Sequence, residues 1–246
     1  MKRSIAIPWT RSRIRELAQR LSRKYGDPRL HNKSNALSEL IFIILSAKTS
    51  ESSYLRTYRA LRNRFPNWFD LLSTPRGTVS RIIEAGGLSR RKEDQIRSLL
   101  EEIRVHAEKR NNLALLSRMA TKSAERFLTS LPGVGLKTAR CVLMYSENRA
   151  VFPVDTHVRR IMHRLGIMEV LRLTDSVQDS IQGRVPPSVR YKLHVNLVAH
   201  GRATCRSRMP LCDACVVNDM CGYFIRKRAY PFPDNEPSHN SGSPDV

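Results

Sequence analysis

The sequence predicts an all-α fold of about ten helices, judged from typical helix lengths. Apolar residues recur at spacings of three and four in segment after segment. Almost no stretch alternates as a half-buried strand would. Short connections marked by Gly or Pro separate the helical segments: "GDP", "STPRG", "AGGLS", "LPGVG" and "RVPPS". In "TRSRIRELAQRLSRK", Ile14, Leu17 and Leu21 make one amphipathic stripe. "SNALSELIFIILSA" sets capping candidates Ser34 and Asn35 before an apolar segment long enough for a buried helix. "SSYLRTYRALRNRF" aligns Tyr54, Leu55, Tyr58 and Leu61, and "RKEDQIRSLLEEIRVHAEK" aligns Ile96, Leu99, Leu100 and Ile103. "KSAERFLTSL", "LKTARCVLMYS", "HVRRIMHRLGI" and "SVRYKLHVNLVAHGR" continue the series, and there is no internal repeat.

Charge narrows the partner. The 246 residues carry 43 Lys and Arg against 22 Asp and Glu, a formal net charge of +21. So strong a field favours a polyanion, with nucleic acid ahead of an anionic membrane surface. The longest apolar run, "LIFIIL" (Leu40–Leu45), is far shorter than a membrane span. The N-terminus shows no hydrophobic signal core, so a cytoplasmic, nucleoid-associated protein is expected if the source is bacterial or archaeal. The tail "PFPDNEPSHNSGSPDV" has a disordered composition.

Three stretches carry chemistry. "LPGVGLKTAR" (Leu131–Arg140) reads as the turn of a helix–hairpin–helix. Gly133, Val134 and Gly135 bring backbone N–H groups to the start of a helix, where they have no intrahelical acceptor and suit a phosphate oxygen. The bland alternative is glycine used for turn geometry alone. Lys137 lies just inside that N-terminus, where the helix dipole and partial burial both disfavour its charged form and so expose a nucleophilic amine. In "VFPVDTHVRR", Asp155 precedes a helix starting near Thr156, and capping that helix is compatible with catalysis.

Cys205, Cys212, Cys215 and Cys221 stand as C-x6-C-x2-C-x5-C. Cys141, alone on the helix after the hairpin, is assigned to packing. An odd cysteine count without a signal peptide fits a disulfide framework poorly, and four thiolates close in sequence argue for a metal site. All-cysteine ligation suits structural zinc, although only Cys212 and Cys215 form a close pair; iron–sulfur clusters use four thiolates too.

"LPGVGLKTA", "FPVDTHVRRIMHRLGI" and "HGRATCRSRMPLCDACVVNDMCGY" together resemble the endonuclease III family of helix–hairpin–helix DNA glycosylases. The resemblance spans roughly residues 10–223 and includes "LSAKTSESS" and "GLSRRKEDQI" at the family's DNA-facing loops. It implies a two-lobed all-α fold. Residues 31–152 would form a six-helix lobe containing the hairpin. Residues 1–30 and 153–225 would form a second lobe carrying a [4Fe–4S] cluster on the four cysteines, and 226–246 a disordered tail. Double-stranded DNA with a damaged or mismatched base would lie between the lobes of a monomer.

By the same resemblance, Lys137 attacks C1′ of a flipped nucleotide and Asp155 stabilises the positive sugar. Strand cleavage follows by β-elimination. His157 is expected to contact DNA backbone or pack locally, and Arg206 and Arg208 to meet phosphates. Leu88 matches a gap-filling wedge. Lys48 stands where the family usually has glutamine, and Glu51 where it usually has aspartate, which loosens any transfer of substrate preference. The adenine-mismatch branch lacks the lysine, so Lys137 points to a bifunctional glycosylase and lyase acting on oxidised pyrimidines. Two alternatives stand beside that reading. One is a mismatch or modified-cytosine glycosylase with the same Lys137–Asp155 pair, since "LPGVGLKTA" with "FPVDTHV" also resembles plant 5-methylcytosine glycosylases. The other is a non-catalytic helix–hairpin–helix damage sensor.

Overall fold

A computed structural model describes residues 8–106, 113–170 and 172–229. Among the described residues every regular element is helical, eleven α-helices and five short 3₁₀ turns. The helices are α1 (Arg11–Tyr25), α2 (Ala36–Ser46), α3 (Glu51–Arg64), α4 (Thr78–Ile82), α5 (Ser89–His106) and α6 (Thr121–Ser130). Then follow α7 (Leu136–Tyr145), α8 (Thr156–Leu165), α9 (Asp175–Arg184), α10 (Arg190–Ala203) and α11 (Gly222–Ala229). Helix α11 corrects the expected start of the disordered tail, because residues 226–229 are helical. The remainder of that tail lies outside the described residues. None of the described helices is long and apolar enough to cross a membrane.

Two hydrophobic cores organise these helices into two lobes. The first gathers residues between Ala36 and Val151, with Leu40, Ile41, Leu61, Ile96, Leu99, Leu128 and Val142 fully enclosed. The second joins Ile14, Leu17 and Leu21 of α1 to side chains between Phe152 and Met220. The predicted stripe on α1 is therefore what returns the N-terminal helix to the far end of the chain, where it packs on α10.

The caps agree with local chemistry. Asn35 receives the Ser38 N–H at 3.0 Å to start α2, and Ser50 caps α3. An ion-pair network, buried at Arg140 and Glu125 and exposed at Lys122 and Asp179, then ties the hairpin to the second lobe. Arg140 of α7, with no exposed surface, meets Glu125 of α6 at 3.0 Å and also Asp179 of α9. Lys122 of α6 reaches Glu125 at 3.0 Å and Asp179 at 3.5 Å. Removing one member of such a pair strands a buried charge, which typically costs about 3–5 kcal/mol.

Candidate active site

The hairpin is built as its residue types require. Gly133 has φ 71°, and a Cβ there would come within 2.5 Å of Gln95 Nε2. That amide instead donates to the Gly133 carbonyl at 3.1 Å, so glycine serves both conformation and close approach. Val134 is buried and anchors the turn in the first core. Gly135 starts α7 without any side-chain cap, leaving the first amides of the helix open toward an anion.

Helix α7 carries Lys137, Cys141 and Tyr145 at successive intervals of four, which puts them on one face. Asp155 caps α8, accepting the Val158 N–H at 2.8 Å, as the sequence predicts. His194 of α10 is buried and donates from Nδ1 to the Pro153 carbonyl at 3.0 Å, which fixes its tautomer. Its ring stacks edge-on against Tyr145 and Phe152, with centroids 5.9 and 6.2 Å apart. Asp155 is electrostatically coupled to Lys137, His194 and His157. The predicted Lys137 and Asp155, one from each lobe, are thus electrostatically coupled.

Charge at this pair differs from the sequence expectation for the lysine. Lys137 is held above the ordinary lysine range: the Cys141 sulfur contributes most, burial opposes it, and the Asp155 carboxylate raises it further. Helix position does not leave a free amine in the resting protein. Asp155 lies below the usual carboxylate range: desolvation pushes it up, but His194, the Val158 amide and Lys137 outweigh that cost. Cys141 is buried among the core residues, in line with the packing expected of it, and it also hydrogen-bonds Lys137. Burial pushes its thiol up to about 11, so it is neutral at physiological pH.

Glu39, unremarked in the sequence, belongs to the same constellation. It has no exposed surface on α2 and accepts hydrogen bonds from Asn32 Nδ2 and, at 2.6 Å, from the Lys33 N–H. Burial pushes its carboxyl up to about 7, against the pull of those donors and of Lys137 and Lys33. An acid inside an apolar helix gives little local indication of what it faces, because the tertiary fold supplies its partners.

The two predicted gap loops lie at exposed turns. Lys48 and Leu88 both have φ 51°, a left-handed conformation uncommon for non-glycine residues, and both side chains are exposed. His157 packs locally: its Nδ1 lies 3.2 Å from Arg160 Nη2, and its ring leaves room only for glycine at position 201. Glu51, the other departure, forms an ion pair with Arg202 of the second lobe at 2.7 Å.

The four cysteines line one small pocket, walled by Ile161, Leu165, Val217 and Phe224. Burial raises the Cys215 thiol to about 11, so a thiolate there needs a cation to neutralise it. His200 Nε2 lies 3.7 Å from Cys215 Sγ, and Arg164 donates to Cys205 Sγ at 3.4 Å. Arg206 and Arg208 stand exposed on the loop between the first two cysteines.

A helix–hairpin–helix turn with no side-chain cap, beside a buried lysine electrostatically coupled to a buried aspartate, suits a protein that acts on DNA. Residues 41–187 match the HhH-GPD superfamily base excision DNA repair protein description, and the chain belongs to that superfamily. It is 30% identical over 193 residues to endonuclease III of Sulfolobus acidocaldarius, covering 78% of this chain and 83% of that protein. Endonuclease III of Thermotoga maritima is 26% identical over 222 residues, covering 87% and 94%. Among solved structures, a non-covalent endonuclease III–DNA complex aligns with a TM-score of 0.74 at 24% identity, over 89% of this chain and 99% of that one. A thermostable thymine-DNA glycosylase aligns at 0.72 and 18% identity, over 87% and 97%. The chain is accordingly an endonuclease III-like DNA glycosylase of base excision repair, with abasic-site lyase activity.

Proposed function

We propose that this glycosylase excises oxidised or fragmented pyrimidines from duplex DNA through Lys137 and then cuts the abasic strand. The coupling of Lys137 to Asp155 carries the reading. Asp155, ionised at neutral pH, is suited to stabilise the positive sugar as the base departs. As the glycosidic bond breaks and its electron pair leaves with the base, the Asp155 carboxylate faces the positive sugar; Lys137 then gives its proton to that carboxylate as its nitrogen bonds C1′. Ring opening gives an imine, which acidifies the C2′ proton. Loss of that proton expels the 3′ phosphate.

The open amides of Gly135 and its neighbours would hold one backbone phosphate, with Arg206 and Arg208 meeting others as the protein binds as a monomer. Cys205, Cys212, Cys215 and Cys221 would hold a [4Fe–4S] cluster. They surround one pocket and supply the four thiols such a cluster takes. When bound, the cluster would supply structural cross-linking of the arginine loop.

A second reading, a mismatch or modified-cytosine glycosylase with the same Lys137–Asp155 pair, is supported by the likeness of "LPGVGLKTA" with "FPVDTHV" to plant 5-methylcytosine glycosylases. DEMETER-like protein 3 of Arabidopsis thaliana is 29% identical over 175 residues, though these make up only 17% of that protein. Duplexes carrying single defined lesions separate the two readings. Cutting at oxidised pyrimidines is expected; cutting only at mispaired thymine or methylated cytosine would replace the first reading with the second.

A further inference from the structure

The α5 residue Lys92 is only 3% exposed, and its ammonium reaches no carboxylate among the described residues. Nζ donates to the Leu45 carbonyl at 2.9 Å, to Thr49 Oγ1 at 2.6 Å and to the Gly86 carbonyl at 2.9 Å. An ammonium has three protons, and each is matched by a neutral oxygen. These acceptors come from two different loops. Leu45 and Thr49 flank Lys48, while Gly86 precedes Leu88 by two residues. The Lys92 backbone N–H also donates to the Leu88 carbonyl at 2.9 Å. Thr49 Oγ1 closes the bridge, 2.6 Å from the Gly86 carbonyl.

Lys48 and Leu88 share an unfavourable backbone conformation, which persists only where surrounding contacts over-determine it. The one buried cation that joins both loops supplies those contacts. A charge without a counter-ion is costly to bury, and stability alone does not call for one here, since an apolar side chain could fill the space. Holding two separate carbonyls and a hydroxyl in fixed register does call for a three-proton donor.

We infer that Lys92 is a positioning residue for base flipping, locking the Lys48 and Leu88 loops into one unit that enters the gap together. The inference rests on the reading of these loops as gap-filling. Its test uses a duplex with one tetrahydrofuran abasic analogue opposite 2-aminopurine, whose fluorescence reports on the gap without any chemistry. Wild type is expected to change that fluorescence on binding, and Lys92→Met to bind with most of the change lost. Thr49→Val, a milder cut at the same bridge, should lose part of it.

Excision from duplex DNA by Lys92→Met should fall by on the order of tenfold or more, as misplaced reacting groups cost. Cleavage of a preformed abasic site in single-stranded DNA, which has no gap to fill, should be spared. A wild-type fluorescence change in both variants would overturn the inference. So would a parallel loss of single-strand cleavage, which would make Lys92 a residue of the fold alone. Because the fluorescence needs no excision, a wrong substrate assignment leaves this test standing. A Leu88→Ala variant with the full wild-type signal would remove the gap-filling premise, and the inference with it.

Discussion

Lys137 shows how position and environment can oppose each other at a single residue. Its place near a helix N-terminus favours loss of the proton, yet the Asp155 carboxylate keeps the ammonium charged at neutral pH, where the Cys141 thiol is uncharged. Glu39 displays the opposite imbalance. Its carboxyl titrates near 7 in the fold against 4.5 when solvated, because burial outweighs the Asn32 and Lys33 donors. A raised folded value means the protonated acid is preferred in the native state. That contribution is complete below about pH 4.5 and is lost as pH rises through about 7. The buried Asn32 Oδ1 has no partner, so turning that amide would offer an acceptor to a protonated acid or to an amide. Glu39→Gln should therefore match wild-type stability in acid and exceed it above neutrality, by up to roughly 3 kcal/mol. Urea midpoints across this pH range check it. Parallel wild-type and variant profiles would show that Glu39 does not titrate in this window.

At the scale of the element, the cysteine-bearing segment after α10 has few regular helical bonds of its own, and four thiols supply its shared contact surface. Anaerobically purified protein is expected to be brown and to contain about four irons per chain. Zinc without iron would overturn the cluster assignment. Much at this scale was legible in sequence. Ile96, Leu99, Leu100 and Ile103 line the buried stripe of α5 as their spacing predicts. Asp155 caps α8 because a carboxylate before "THV" has three free amides to serve. Buried polar residues were not legible. Lys92, Glu93 and Arg97 resemble a solvated face in "RKEDQIR", yet all are buried. Glu93 accepts the Gly77 and Ser80 amides while Arg97 donates to the carbonyls of Leu71, Thr74 and Pro75. Those acceptors lie far along the chain, beyond any local pattern. Helix α9 was missed for a related reason: "DSVQDSIQGR" has little apolar stripe, and Asp179 acts through its ion pairs with Arg140 and Lys122.

Across the whole molecule, Lys137 of the first lobe is coupled to Asp155 at the head of the second. Arg140 with Asp179 and Glu51 with Arg202 fasten the two lobes together. Neither lobe alone holds both of the proposed reacting groups, so the proposed catalysis depends on their register. The formal charge of +21 favours a DNA partner but does not say what happens to it. The central claim is that the Lys137 amine becomes covalently bonded to the sugar. Borohydride added during turnover on lesion-bearing duplex tests it most directly, because reduction freezes an imine as a stable protein–DNA adduct. The account predicts an adduct with wild type and none with Lys137→Gln, while Asp155→Asn forms it slowly at nearly unchanged DNA affinity. An equal adduct yield from Lys137→Gln would place the nucleophile on another amine and contradict the account.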